Sequence, residues 1–226
     1  MINLFGLILT VLFFKLAQRC KGTPFIGKFP PILLAGIGVI LVLKIFNIDF
    51  DYYNESASFL TMMLIPATIA LGYPIYKHKG LLIKNKRIIY SAFFVASIIA
   101  ICSTYITSKF CNADFVVIES LLPKSVTAPI AIEITRTMGG IPELTMCVVV
   151  MTGVFGAIVG HKILEILKVK SDIATGLALG AASHVIGTSR CAEKGREKQV
   201  VMASLALVLV GVITAVIIPV FINIIK

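Results

Sequence analysis

Residues Glu119–Glu133 read ESLLPKSVTAPIAIE, with long apolar runs on both sides. Two prolines, Pro123 and Pro129, bracket Lys124, Ser125 and Thr127. An uninterrupted membrane helix does not carry this pattern. Proline removes a backbone donor and collides with the preceding turn. In lipid each carbonyl so freed must find another partner. A lysine at membrane depth costs about 2.5–3.5 kcal/mol on insertion scales. Two readings are open: a binding element built on a broken helix, or a short loop whose Lys124 snorkels to the headgroups.

The rest of the chain sets the medium around this stretch. Of 226 residues, 58% are hydrophobic and only 14% charged, and the mean hydropathy is +0.99. A water-soluble domain has no place to bury that much apolar surface. Several apolar runs approach the roughly 20 residues that cross a bilayer, and they are continuous, which excludes a barrel of alternating strands. The chain is therefore read as all-α: one polytopic membrane domain over 1–226, in the plasma membrane. The net charge of +10 does not point to nucleic acid. Its lysines and arginines fall in short connections between apolar runs, as the positive-inside rule requires. Cys20, Cys102, Cys111, Cys147 and Cys191 form no CxxC pair and no zinc pattern, so no metal is expected.

Expected spans are Ile2–Leu16, Pro31–Phe46, Phe59–Tyr76, Ile88–Thr107, Leu144–Leu167 and Val200–Ile225. Two further segments, 113–133 and 172–189, are interrupted by proline, glycine and polar residues. If both crossed, the lysines at 162–170 would lie on the wrong face. If both dip in and return, from opposite faces, the charges are ordered and an inverted repeat results. That model puts Gly140 outside and Lys170 inside. Its rival is a pair of broken helices that cross.

The polar residues at depth are few. The first interrupted segment supplies Thr68, in Pro66-Ala67-Thr68, a loose echo of Pro123-Lys124-Ser125. The second supplies Lys124, Ser125 and Thr127. The third supplies Ser183, His184, Thr188 and Ser189, with Arg190 at the edge. Hydroxyls, one lysine and the free amides of broken helices together favour an anion. Each residue also has a plain reading. Lys124 can neutralise Glu119 or Glu133. His184 can donate to a backbone carbonyl, and Ser183 and Thr188 can bond a turn back in their own helix. Gly153, Gly156 and Gly160 have the spacing of a helix-association face. His78 and His161 sit at loop edges and suggest nothing specific. No Ser/His/Asp set, HExxH pair or phosphate loop is present. The chain is read as no enzyme, with no cofactor.

SLLPKSVTAPIA at 120–131, GGIP at 139–142 and GLALGAASHVIGTSR at 176–190 resemble the signature stretches of the LrgB/CidB family. Pro66–Ala70 is similar to an earlier motif of that family, and the resemblance runs from about Phe59 to the end. It implies an antiholin-like membrane protein. Such a protein acts with a holin-like partner of the LrgA/CidA type on murein hydrolase activity and autolysis. Through the related plastidal glycolate/glycerate translocator it also implies transport of a small carboxylate anion of the pyruvate or glycolate class. The expected binding residues are Pro123, Lys124, Ser125, Thr127, Pro129, Ser183, His184, Gly187, Thr188 and Thr68. The expected surroundings are the lipid bilayer and no nucleic acid. A homo-oligomer and the choice between transport and lysis control stay open.

Overall fold

The computed structural model describes residues 4–20, 23, 29–70, 72–77, 79–84 and 86–226, and among these every regular element is a helix. The chain divides into two compact units, Met1–Ala70 and Leu71–Lys226.

In the first unit α1 (Phe5–Arg19) packs on α2 (Pro31–Ile45), which starts with proline at a position where no amide partner is needed. Gly38 makes room for the Phe13 ring, whose Cε1 would lie 2.6 Å from any Cβ there. The α3 helix (Phe50–Ser56) is capped by Asp49 and tied to α1: the Gly6 N–H donates to Ser56 Oγ at 2.8 Å, and Thr10 and Tyr53 share a 2.8 Å bond. Two short helices follow, α4 (Ser58–Met62) and α5 (Leu64–Ala70).

The second unit runs α6 (Gly72–Lys77), α7 (Lys79–Lys84), α8 (Lys86–Phe110), α9 (Phe115–Leu121), α10 (Ala128–Met138), α11 (Pro142–Ile166), α12 (Asp172–Glu193) and α13 (Glu197–Ile225). Among the described residues three helices are long and apolar enough to cross a membrane: Ile89–Phe110 within α8, then α11 and α13. With 15 residues each, α1 and α2 are about 22 Å long, short of a full hydrocarbon core. Within the expected span Phe59–Tyr76 the described helices are α4, α5 and α6, with a break at Met63 between α4 and α5; residue 71 lies outside the described residues. Parallel contacts join α8 to α13: Thr214 donates to Ser97 at 3.2 Å, and Tyr105 meets Phe221 edge-on at 5.4 Å.

The interrupted segments are both hairpins. A straight α12 of 22 residues would hold its ends about 32 Å apart. Instead Gln199, just past the end of α12, donates from Nε2 to Asp172 Oδ1 at 2.7 Å. The reversal is at His184, with φ 40 and ψ −133. A Cβ on Gly187 would lie 2.7 Å from the Leu179 carbonyl oxygen, a contact open only to a chain folded back on itself. The first arm, 172–183, runs parallel to α13: Gly176 touches the backbone at Gln199 and Gly180 that at Ala203. The other hairpin descends through α9 and a turn at 122–127 and returns through α10. The end of α10 comes back beside α9, since the Ile141 N–H donates to Ser120 Oγ at 2.7 Å.

The hairpins enter from opposite ends of α11. Ser120 and Thr135 meet α11 at Thr145, near its start, while the base of the 172–193 hairpin lies by His161, near its end. Two hairpins seated at opposite ends of α11 are the geometry that the dip-and-return alternative requires. At 1.5 Å per residue, α10 and the arm 172–183 reach about 16 and 18 Å inward. Both tips therefore come to the middle of α11. Val126 from one tip and Val149 of α11 share an apolar core with Leu205 and Val210 of α13, and Leu177 and Ala181 of the 172–183 arm pack against it.

Candidate functional site

The tip of the outer hairpin, 115–138, is irregular because of its prolines. Lys124 N–H bonds to Leu121 O at 3.2 Å and Val126 N–H to Pro123 O at 3.2 Å, which gives single turns and no continuing helix. Thr127 then occupies the N-cap of α10 with extended backbone (φ −68, ψ 146). Threonine at this position ordinarily turns its hydroxyl onto the first amides of the helix. Here it does not: Thr127 is 2% exposed and its Oγ1 has no hydrogen-bond partner. The first turn of α10 is thus left with the open N–H groups of Ala128 and Ile130, Pro129 having none.

Lys124 is half-buried beside this turn. The acids that could neutralise it are engaged elsewhere. Glu119, almost wholly buried, lies 3.0 Å from the Lys226 ammonium; the contact is an ion pair without hydrogen-bond alignment. Lys226 also sits over the Phe115 ring at 5.3 Å. Glu133 pairs with Arg136 at 2.9 Å on the exposed side of α10. Among the described residues no acid lies within ion-pair reach of the Lys124 ammonium. Ser125 is half-buried and Pro123 fully buried next to it.

The inner hairpin, 172–193, is built differently. It has no proline. His184 is buried, and its Nε2–H donates to the Val149 carbonyl at 2.9 Å, which assigns the proton to that nitrogen because a carbonyl only accepts. Gly153 clears the space: a Cβ there would lie 2.5 Å from His184 Cε1. Thr188 donates to the His184 carbonyl at 3.0 Å and Ser189 to Val185 at 2.9 Å, both one turn back in the return arm. Ser183 lines a groove of about 230 Å³ between α11 and the 172–183 arm, together with Thr152, Phe155, Gly156 and Gly160. The three glycines at 153, 156 and 160 are therefore occupied from within, by His184, Ser183 and Leu179. They do not form the free association face that their spacing suggested.

Placed on the structure, Pro123, Lys124, Ser125, Thr127 and Pro129 form one tip, and Ser183, His184, Gly187 and Thr188 form the other. Both reach the same level of α11, and among the described residues no hydrogen bond or ion pair joins one tip to the other. Thr68 belongs to the first unit, and its side chain lies outside the described residues, as does His78.

Residues 10–224 match the LrgB-like family. The chain belongs to that family. It is similar to the antiholin-like protein LrgB of Bacillus mycoides, 39% identical over 193 residues, covering 85% of this chain and 84% of that one. The LrgB proteins of Bacillus cereus and Bacillus anthracis are 38% identical over the same coverage. No solved structure matches.

Two polar clusters of this LrgB-like chain escape a reading of its sequence. At the mouth of the outer hairpin, Thr145 donates to the Ser120 carbonyl at 2.8 Å and meets Thr135 Oγ1 at 2.8 Å. Gly140 lies against them, where a Cβ would be 2.9 Å from Ser120 Oγ. At the mouth of the inner hairpin, Gln199 bonds Asp172 and His161. His161 is 5% exposed, so it is a core residue and not the loop-edge histidine its lysine neighbours suggest. Arg190, Lys194 and Arg196 crowd the same mouth. Burial, with Arg190 and Arg196 adding to it, holds the Lys194 ammonium below the ordinary lysine range. The only signal in the sequence for this cluster was the pairing of polar residues at two helix starts, Asp172 and Gln199.

Proposed function

We propose that this chain moves a small monocarboxylate anion, of the pyruvate or glycolate class, through a site at the two hairpin tips. One observation carries the reading. The buried Thr127 hydroxyl has no partner, at the open N-terminus of α10, beside a lysine whose acids are engaged elsewhere. A buried hydroxyl without a partner costs about 1–3 kcal/mol, and a carboxylate would satisfy it. The open amides and the helix dipole favour the same charge. Lys124 is the counter-charge. Thr127 and Ser125 donate hydrogen bonds, with Pro123 and Pro129 holding the break. Ser183, His184, Gly187 and Thr188 form the opposing wall, where His184 couples a proton.

The test is uptake of labelled pyruvate and glycolate into vesicles holding this chain. Lys124→Ala should lower uptake at least tenfold, about the factor that loss of one charged hydrogen bond gives, while insertion and melting stay unchanged. Full uptake by a well-inserted Lys124→Ala protein removes the site.

The name antiholin-like, carried by the relatives, favours a second reading, in which the chain restrains lysis; the family resemblance supplies its partner there, a holin-like membrane protein of the LrgA/CidA type. There autolysis follows co-purification of the two proteins and ignores carboxylate supply. Since α11 spends its glycines on the inner hairpin, a partner on that helix would meet Met151, Phe155 and Ile158 instead, all of them exposed.

A further inference from the structure

The mouth of the inner hairpin is closed by one side chain. Gln199 is fully buried, and it bonds in two directions. Its Nε2 donates to Asp172 Oδ1 at 2.7 Å, at the start of the 172–183 arm. Its Oε1 accepts from His161 Nε2 at 3.1 Å, near the end of α11. The amide orientation follows from the partners, because an ionised carboxylate only accepts. His161 Nδ1 is then a buried acceptor with no partner. At Gly176 and Gly180 the arm meets α13 through the backbone of Gln199 and Ala203 and the Cβ of Met202, with no polar side-chain atom among these contacts. A fully apolar residue at 199 would continue that seam without burying an amide. The sequence places there a residue that makes single, separable bonds to two elements.

We infer that Gln199, with Asp172 and His161, is a latch that holds the mouth of the inner hairpin shut against α11 and α13, and that its release opens the cytoplasmic approach to the tips. In that role Gln199 is a positioning residue for the transport reading above and rests on it. The outer mouth has its own tie to the other end of α13, the ion pair of Glu119 with Lys226. The single helix α13 thus carries one tie for each hairpin.

Cys191, fully buried on the return arm next to Arg190, is a native reporter. The experiment uses the full chain in liposomes with Cys20, Cys102, Cys111 and Cys147 changed to Ala, and a membrane-impermeant maleimide on each side in turn. The parent should label slowly. Asp172→Ala, which loses one such bond, should label about tenfold faster from the cytoplasmic side only, and Gln199→Leu, which loses both, faster still. Asp172→Asn keeps an acceptor oxygen and should label at the parent rate. Equal rates in the parent and in inserted, monodisperse Asp172→Ala overturn the latch. So does fast labelling of Asp172→Asn, which would assign the effect to charge at the helix start. Asp172 is exposed, so this variant decides the matter even where Gln199→Leu does not fold. Pyruvate uptake is measured on the same vesicles. Faster labelling with no uptake in any preparation leaves the latch standing and removes the transport reading.

Discussion

The two hairpins perform one topological task by different means. The outer one breaks because its covalent chemistry demands it: Pro123 and Pro129 cannot sustain a helix, and the turn between them follows. The inner one breaks at a histidine held at φ 40, a region that side chains seldom occupy. Such a residue stores about 1–3 kcal/mol, so the surroundings must over-determine it. They do so through the Val149 carbonyl, the clearance at Gly153 and the close return at Gly187. Their seats on α13 differ as well. Gly180 of the inner hairpin meets the Ala203 backbone, whereas Gly211 of α13 faces only the end of the Ile130 side chain, 3.0 Å from where a Cβ would be. The outer hairpin is therefore broken by composition and seated by side chains. The inner one is broken by packing and seated by backbone. A break of the first kind can keep groups unsatisfied, as Thr127 is, while at a break of the second kind the pivot's own side chain is engaged, His184 with the Val149 carbonyl.

This contrast can be broken at its strongest point by a matched pair. Gly180→Ala should cost about 3 kcal/mol, since the Ala203 backbone cannot yield, and Gly211→Ala less than about 1, since Ile130 can change rotamer. Thermal melting in detergent by circular dichroism measures both; equal losses would show that the seats do not differ. Next in size is the break itself. His184→Ala keeps the strained backbone and loses the Val149 bond, an expected loss of about 2 kcal/mol, whereas His184→Gly recovers about 1 of that by removing the strain. Melting temperatures in the same detergent test it, and an Ala variant as stable as the Gly variant would mean that the fold does not strain the residue. The smallest change in stability is expected at the outer tip. Thr127→Val replaces an unpaired hydroxyl with a methyl of the same shape, so stability should hold or rise by about 1 kcal/mol while uptake falls. A loss of stability there would show that the hydroxyl is satisfied in the folded protein, and the two tips would then be alike.

The same contrast explains what the sequence made legible. The outer break was readable residue by residue, because proline and lysine in an apolar run have only a few outcomes. The inner break was readable as a region, through its glycines and hydroxyls, but its pivot was not: nothing in His184 announces a positive φ. Gly153, Gly156 and Gly160 show the limit of spacing arguments. The pattern identified a close helix contact, and only the fold decides that the neighbour is the chain's own hairpin. The mouths were the least visible part. Ser120, Thr135 and Thr145, like His161 and Gln199, are ordinary polar residues far apart in the chain, and their meaning comes from topology.

The backbone seat of the inner hairpin also bears on how the protein is made. The arms 172–183 and 185–193 are too short to cross a bilayer, and each carries polar groups that lipid does not satisfy. Gly176 and Gly180 find their surface only on residues 199–203, which leave the ribosome later. During synthesis the hairpin therefore waits at the translocon or in the interface until α13 arrives, and a chain interrupted before Glu197 presents an unseated hairpin to the cell's quality control.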